Sequence, residues 1–152
     1  METSNQTFAQ FLNSLRILHA AMVFGLILFL AVVHFGLQPD PTVFNAPNPA
    51  LLVNIAAGLL TICTAVGYWL FGQRLKMLRT AADLNQKLLD YRSASIIKFA
   101  LIEGPTLASI VFYLLTANTV LIGIAGVGIV VMVINHPTAM KVKMDLELSN
   151  EI

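Results

Sequence analysis

The fold class is decided by ILHAAMVFGLILFLAVVHFGL, the stretch Ile17–Leu37, which contains no Asp, Glu, Lys or Arg. A helix needs about 20 apolar residues to cross about 30 Å of hydrocarbon. Apolar side chains fill every face of this stretch instead of alternating, so the pattern predicts a helix and not a strand. The run is also too long for the apolar core of a typical signal peptide, which predicts a retained membrane anchor.

The rest of the chain is also rich in apolar residues and poor in charged ones. Of its 152 residues, 57% are hydrophobic and only 11% are charged, whereas an ordinary soluble domain carries about 25% charged residues. This composition disfavours a soluble enzyme, a nucleic-acid binder and a disordered protein. Because only helices or closed barrels satisfy the backbone in lipid, we predict an all-α integral membrane bundle of four transmembrane helices. It forms one domain, 1–152, with spans at about 17–37, 50–72, 95–115 and 119–134.

The basic residues lie at the ends of these spans on one side only, with Lys98 at the entry to the third span. There are nine of them, whereas the proline-rich connector 38–49 contains none. The positive-inside rule therefore places both termini and the connector 73–94 in the cytoplasm, and we expect the membrane to be a bacterial inner membrane. The basic residues are Arg16, Arg74, Lys76, Arg79, Lys87, Arg92, Lys98, Lys141 and Lys143.

The long connector 73–94 has leucines at near-helical spacing. This spacing predicts that helices two and three extend beyond the membrane as a cytoplasmic hairpin. The hairpin is either a solvated projection or a docking site for a soluble partner.

One acidic residue, Glu103, lies inside a predicted span. It is about 12 Å deep at about 1.5 Å per residue, where a charge costs roughly 2.5–3.5 kcal/mol. We therefore expect a neutral carboxyl that binds a proton, in a non-enzymatic membrane subunit that serves proton translocation. The alternative is a structural or assembly subunit of a larger membrane complex. Glu103 then acts as interhelical hydrogen-bond glue, worth about 0.6–2 kcal/mol.

Several residues are expected to support this carboxyl. Thr64 is level with Glu103 and carries a hydroxyl that would hydrogen-bond to it. Pro105 frees the carbonyl of Leu101 and predicts a kink, and glycines at this level would permit close helix approach. The predicted supporting set is Thr64, Gly104, Pro105, Gly25, Gly126 and Tyr68, the last extending a polar path towards the cytoplasm.

The first and third spans also share a short pattern. SLRILHAAMVFG (Ser14–Gly25) aligns without a gap to SASIIKFALIEG (Ser93–Gly104), and Phe24 then stands where Glu103 stands. An internal duplication is one interpretation of this match.

The segment ALIEG (Ala100–Gly104), preceded by a polar connector with Arg79, Lys87 and Arg92, resembles the proteolipid ring subunit of rotary ATPases over residues 79–128. The glycines at 123, 126 and 128 are similar to that family's glycine-rich helix, although here they follow the glutamate helix instead of preceding it. The resemblance implies that Glu103 is an ion-binding carboxylate in a ring of copies.

Other functional signals in the sequence are weaker. His19 and His136 would form a haem-ligand pair only if helices one and four were neighbours, and a zinc site lacks enough ligands. No catalytic triad or phosphate loop is present, so we predict no enzyme activity, no metal and no cofactor.

The expected partners follow from the membrane character of the chain. They are the lipid bilayer and other membrane subunits, or a second copy through Gly123, Gly126 and Gly128, and no nucleic acid.

Overall fold

The computed structural model describes residues 2–37, 39–40, 48–79 and 83–147. All of its regular elements are helices, and no strand occurs in these ranges, which confirms the all-α prediction. The elements in chain order are α1 (Glu2–Ala31) with its π-helical continuation (Val32–Leu37), α2 (Pro49–Arg79), α3 (Leu84–Thr116), α4 (Val120–Ile134) and α5 (Ala139–Leu146).

Three helical stretches are long and apolar enough to cross a membrane: Phe8–Leu37, Pro49–Leu78 and Leu84–Thr116. A fourth candidate is the pair α4 and α5, which are bent by 73° relative to each other. The predicted integral membrane character is therefore confirmed at the level of three or four candidate spans.

The fourth candidate span consists of a short helix, α4, and its bent continuation, α5. α4 has 15 residues, and its length of about 22 Å falls below the about 30 Å of hydrocarbon. Thr138 then caps α5 by accepting a hydrogen bond from the backbone N–H of Lys141 at 3.2 Å. Val142 and Leu146 are buried, so α5 lies with its apolar edge against the ends of the longer helices.

The predicted connector 73–94 is mostly helical. α2 continues to Arg79 and α3 begins at Leu84, while residues 80–82 lie outside the described part of the chain. The carboxylate of Asp83 starts α3 by accepting hydrogen bonds from the backbone N–H groups of Asn85 at 3.3 Å and Gln86 at 3.2 Å. An aspartate in this N-cap position satisfies donors that the first helical turn leaves free.

α3 is the central helix, since it packs against α1, α2 and α4. The close approaches occur at two glycines. A Cβ placed on Gly67 of α2 would lie 3.4 Å from the Cβ of Leu101, and one placed on Gly128 of α4 would collide with the hydroxyl of Thr106.

The close approaches predicted at Gly25 and Gly126 are wrong within the described chain. A Cβ on either glycine would meet nothing within 4 Å among the described residues, and the same holds for Gly104 and Gly123. The predicted self-association face, Gly123, Gly126 and Gly128, is therefore divided. Gly128 packs against Thr106 of α3, whereas Gly123 and Gly126 face no described residue. Close approach occurs at the glycines that face a neighbouring helix. Counting residues from the span ends predicts the depth of each glycine in the membrane but not the direction in which it faces.

α1 and α3 run parallel and in a constant register. The rings of His19 and Phe99 have centroids 4.9 Å apart, and further along Nδ1 of His34 lies 2.8 Å from the hydroxyl of Tyr113. The ungapped alignment of Ser14–Gly25 with Ser93–Gly104 implies nearly this register. Parallel helices of similar length lie at similar levels with or without a common origin, so the duplication stays a hypothesis.

Candidate functional site

Glu103 lies close to the middle of the hydrophobic part of α3. Thirteen residues separate it from the end of the helix at Thr116, which is about 20 Å at about 1.5 Å per residue. Its side chain is half-buried. Within the ranges that the structure describes, it forms no hydrogen bond and no ion pair.

The face of α3 that carries Glu103 is turned away from α2. Leu101 meets Gly67 of α2, and Glu103 is two residues further on, about 200° around a helix with 3.6 residues per turn. Thr64 belongs to α2, and its buried hydroxyl has no hydrogen-bond partner among the described residues. The predicted hydrogen bond between Thr64 and Glu103 is therefore wrong. The two residues share a level in the membrane but not a face.

Pro105 does not interrupt α3. The helix continues from Leu84 to Thr116 with Pro105 inside it. Two hydroxyls bond back to carbonyls one turn earlier, Thr106 to Ile102 at 2.7 Å and Ser109 to Pro105 at 2.8 Å. This is the usual back-bonding of Ser and Thr within a helix, and neither of these two bonds is made to the carbonyl of Leu101, which Pro105 leaves without its N–H donor.

The second charged residue of this region, Lys98, is buried deeply, with 3% of its side chain exposed. Its Nζ atom lies 4.1 Å from the ring centroid of Phe71, 5.6 Å from that of Tyr68 and 5.3 Å from that of Phe99. Aromatic faces attract an ammonium group through their negative quadrupole. Lys98 is therefore directed at rings and forms no ion pair with Glu103, which is five residues further along α3.

Tyr68 also joins two helices. Its hydroxyl accepts a hydrogen bond of 2.6 Å from Nδ2 of Asn135, which in turn bonds the carbonyl of Val131 at 2.8 Å. The predicted role of Tyr68 was to extend a polar path from Glu103. In the structure its polar contacts are with Asn135 and with the ammonium of Lys98.

His19 and His136 are indeed neighbours, since α1 and α4 are in contact. Their ring centroids are 5.4 Å apart. The Nε2 atom of the buried His19 donates to the carbonyl of Met132 at 2.9 Å, so one of its nitrogens is already occupied. In the described part of the chain, no three His, Cys, Asp or Glu side chains come together as a metal site.

We call His19, Tyr68, Phe71, Lys98 and Asn135 the basic-end cluster, because they lie where the helices carry their basic residues. The sequence analysis missed this cluster as a unit. A usable signal was the pair Tyr68 and Phe71, which share one face of α2 and precede the basic part of that helix.

Beyond this cluster lies the polar first part of α3. The 33 residues of this helix span about 50 Å, more than the about 30 Å of hydrocarbon that a span must cross. In this polar part the Tyr91 hydroxyl donates to Asp145 of α5 at 2.8 Å. Burial raises the pKa of the Tyr91 phenol, and the charge of Asp145 raises it further, so Tyr91 keeps its proton and remains the donor that anchors α5.

The two regions offer different chemistry. In the basic-end cluster His19, Tyr68 and Asn135 are hydrogen-bonded and Lys98 lies against aromatic rings, whereas Glu103 offers one carboxyl that is able to take up or release a proton. In comparisons with known proteins, no protein-family model, no curated protein and no solved structure matches this chain.

Proposed function

We propose that this protein is a non-enzymatic integral membrane subunit whose Glu103 binds a proton near the middle of the bilayer. In this proposal four helical spans leave both termini and the end of the α2–α3 pair in the cytoplasm. Proton translocation through a larger complex is the process that such a carboxyl would serve. The resemblance of Ala100–Gly104 to the rotary ATPase proteolipid supports the same role.

The observation that carries the proposal is the half-buried Glu103 without a bonding partner in the described chain. An ionised carboxylate in hydrocarbon costs roughly 2.5–3.5 kcal/mol or more. Among the described residues no cation offsets this cost, because the nearest basic residue along α3, Lys98, is directed at aromatic rings. The neutral, protonated form of Glu103 is therefore favoured. Its proton is available to a neighbouring subunit that packs against this face of α3.

The alternative is a structural subunit in which Glu103 holds helices together. Within the described chain Glu103 holds no helix, since it bonds to none of them. A structural role therefore requires a helix from another subunit or another copy, and the two hypotheses then differ in whether Glu103 titrates.

Labelling by a hydrophobic carbodiimide tests the proposal, because the reagent adds to a protonated carboxyl in lipid. Membranes that contain the full chain are treated with dicyclohexylcarbodiimide over a pH series, and the adduct is located by peptide mass spectrometry. We expect an adduct on Glu103 that declines as the pH rises. Asp90, an exposed carboxylate on α3, is the internal control and should stay unlabelled. Absence of the Glu103 adduct at every pH would refute proton binding.

Assembly separates the two hypotheses. Glu103→Gln keeps hydrogen bonding but cannot titrate, and Glu103→Ala removes both. Native mass is measured for each variant after mild extraction. If Glu103→Ala disperses a complex that Glu103→Gln preserves, and the wild-type carboxyl is not labelled, the structural alternative replaces the proposal.

A further inference from the structure

An open groove of about 370 Å³ lies between α1 and α4 on the outside of the protein. Its walls are the apolar side chains of Val23, Ile27 and Val133, and it ends at His19 and His136. From His19 to Ile27 it follows α1 for eight residues, about 12 Å. An apolar channel of this depth, parallel to a membrane helix, has the shape of part of a lipid chain.

The end of the groove at His19 is basic. The ring of His136 lies 5.4 Å from that of His19 between centroids, and Lys98 and Lys141 are close enough to act electrostatically on His19. Arg16 precedes His19 by one turn of α1, and its Nε donates to the carbonyl of Pro137 at 3.1 Å. Since a guanidinium carries five N–H donors and only this bond ties it to the described residues, Arg16 has donors left for a ligand.

Asp145, the acidic residue of α5, is directed elsewhere. Asp145 accepts the hydrogen bond of Tyr91 and acts on Lys98, but it is not among the charged groups that act on His19. The mouth of the groove is therefore positively charged, while the depth of the groove is apolar.

We propose that the groove binds an anionic phospholipid. One acyl chain lies along Val23 and Ile27, and the phosphate lies between Arg16, His136 and Lys141. Charge complementarity favours this ligand over a zwitterionic lipid, whose own cation offsets its phosphate, and over a purely apolar partner helix, which would leave the basic mouth without a counter-charge. The proposal is independent of Glu103, which does not line the groove.

The test uses the full chain purified in a mild neutral detergent. Phosphatidylglycerol and phosphatidylcholine with identical acyl chains are titrated, and bound lipid is counted by native mass spectrometry. We expect phosphatidylglycerol to bind at least about tenfold more tightly, and Arg16→Gln or Lys141→Gln to remove about tenfold of that affinity, the change expected for one lost charged contact. Equal binding of the two lipids would overturn the proposal.

Two further variants define the place of binding. Lys76→Gln removes the same charge from an exposed position on α2 and should leave the affinity unchanged. Val23→Trp fills the groove and should abolish binding while Arg16 and Lys141 are intact. The proposal fails if Lys76→Gln weakens binding as much as Lys141→Gln, or if Val23→Trp binds normally. Should Arg16→Gln not fold, because its bond to Pro137 is lost, Lys141→Gln decides.

Discussion

Lys98 and Glu103 lie five positions apart on α3, yet their burial and their contacts are opposite. Lys98 is 3% exposed, and its ammonium lies over three aromatic rings. Glu103 is half-buried, and within the described ranges no side chain or backbone group bonds to it. Lys98 therefore makes contacts that hold α2 and α3 together, whereas Glu103 makes no bond within the described chain.

The rings around Lys98 come from two different helices. Phe71 and Tyr68 belong to α2, while Phe99 lies beside Lys98 on α3. Burying an ammonium without compensation costs several kcal/mol, and these ring contacts offset part of that cost where α2 packs on α3. Glu103 faces away from the contact between α2 and α3. Substitution of Glu103 should therefore change the free energy of unfolding of the isolated chain very little.

Lys98→Ala should have the largest effect of the variants that probe this comparison. It removes the long buried side chain together with its contacts to three rings, and we expect a loss of about 3 kcal/mol in the free energy of unfolding. The measurement is reversible unfolding of the purified chain in detergent micelles. A loss below about 0.5 kcal/mol, the range of ordinary surface substitutions, would show that Lys98 is not a structural residue.

Lys98→Met is the matched control, because it fills the space without a charge. Replacing a buried charge by an apolar group of similar volume is often neutral or stabilising. We therefore expect Lys98→Met to retain most of the stability that Lys98→Ala loses. If both variants lose the same free energy, the ammonium itself, and not the filled volume, stabilises the contact between α2 and α3.

Gly128→Ala should have the next largest effect. Its new Cβ would collide with the hydroxyl of Thr106 and lie 3.0 Å from the Thr106 Cβ, and overpacking of this kind costs about 1–3 kcal/mol. Gly126→Ala is the control on the same helix, since a Cβ there meets nothing within 4 Å among the described residues. Equal stability of the two variants in thermal unfolding would mean that α4 does not pack on α3 through Gly128.

Much of the fold follows from the sequence, because the run of apolar residues alone sets which segments become helices in lipid. The helical continuation of the connector 73–94 was also predictable from the spacing of its leucines. The end of α4 at Ile134 also agrees with the predicted span 119–134, whereas the helix α5 that follows it was not predicted. It depends on the docking of Val142 and Leu146 against the other helices, a long-range contact that local periodicity does not contain.

The surroundings of Glu103 were predicted less well. Counting residues from the span ends places Thr64 level with Glu103 but says nothing about rotation, and the contact between Gly67 and Leu101 turns Glu103 away from α2. Lys98 was expected only to begin the third span. Its burial depends on Tyr68 and Phe71, whose position opposite Lys98 is set by the register of two antiparallel helices.

Glu103→Gln should have the smallest effect on the isolated chain, a change below about 0.5 kcal/mol in the free energy of unfolding. The amide matches a neutral carboxyl in size and polarity, and the described chain offers no bond to lose. Asn135→Ala shows that the measurement is sensitive, because it removes bonds to Tyr68 and Val131 and should cost about 1 kcal/mol or more. A clear gain of stability in Glu103→Gln would mean that the native carboxyl is ionised in lipid, and a clear loss would mean that it bonds within the chain. Either result would show that Glu103 affects the stability of the chain. The contrast with Lys98 would then be lost, and the assignment of Glu103 as a proton-binding group depends on that contrast.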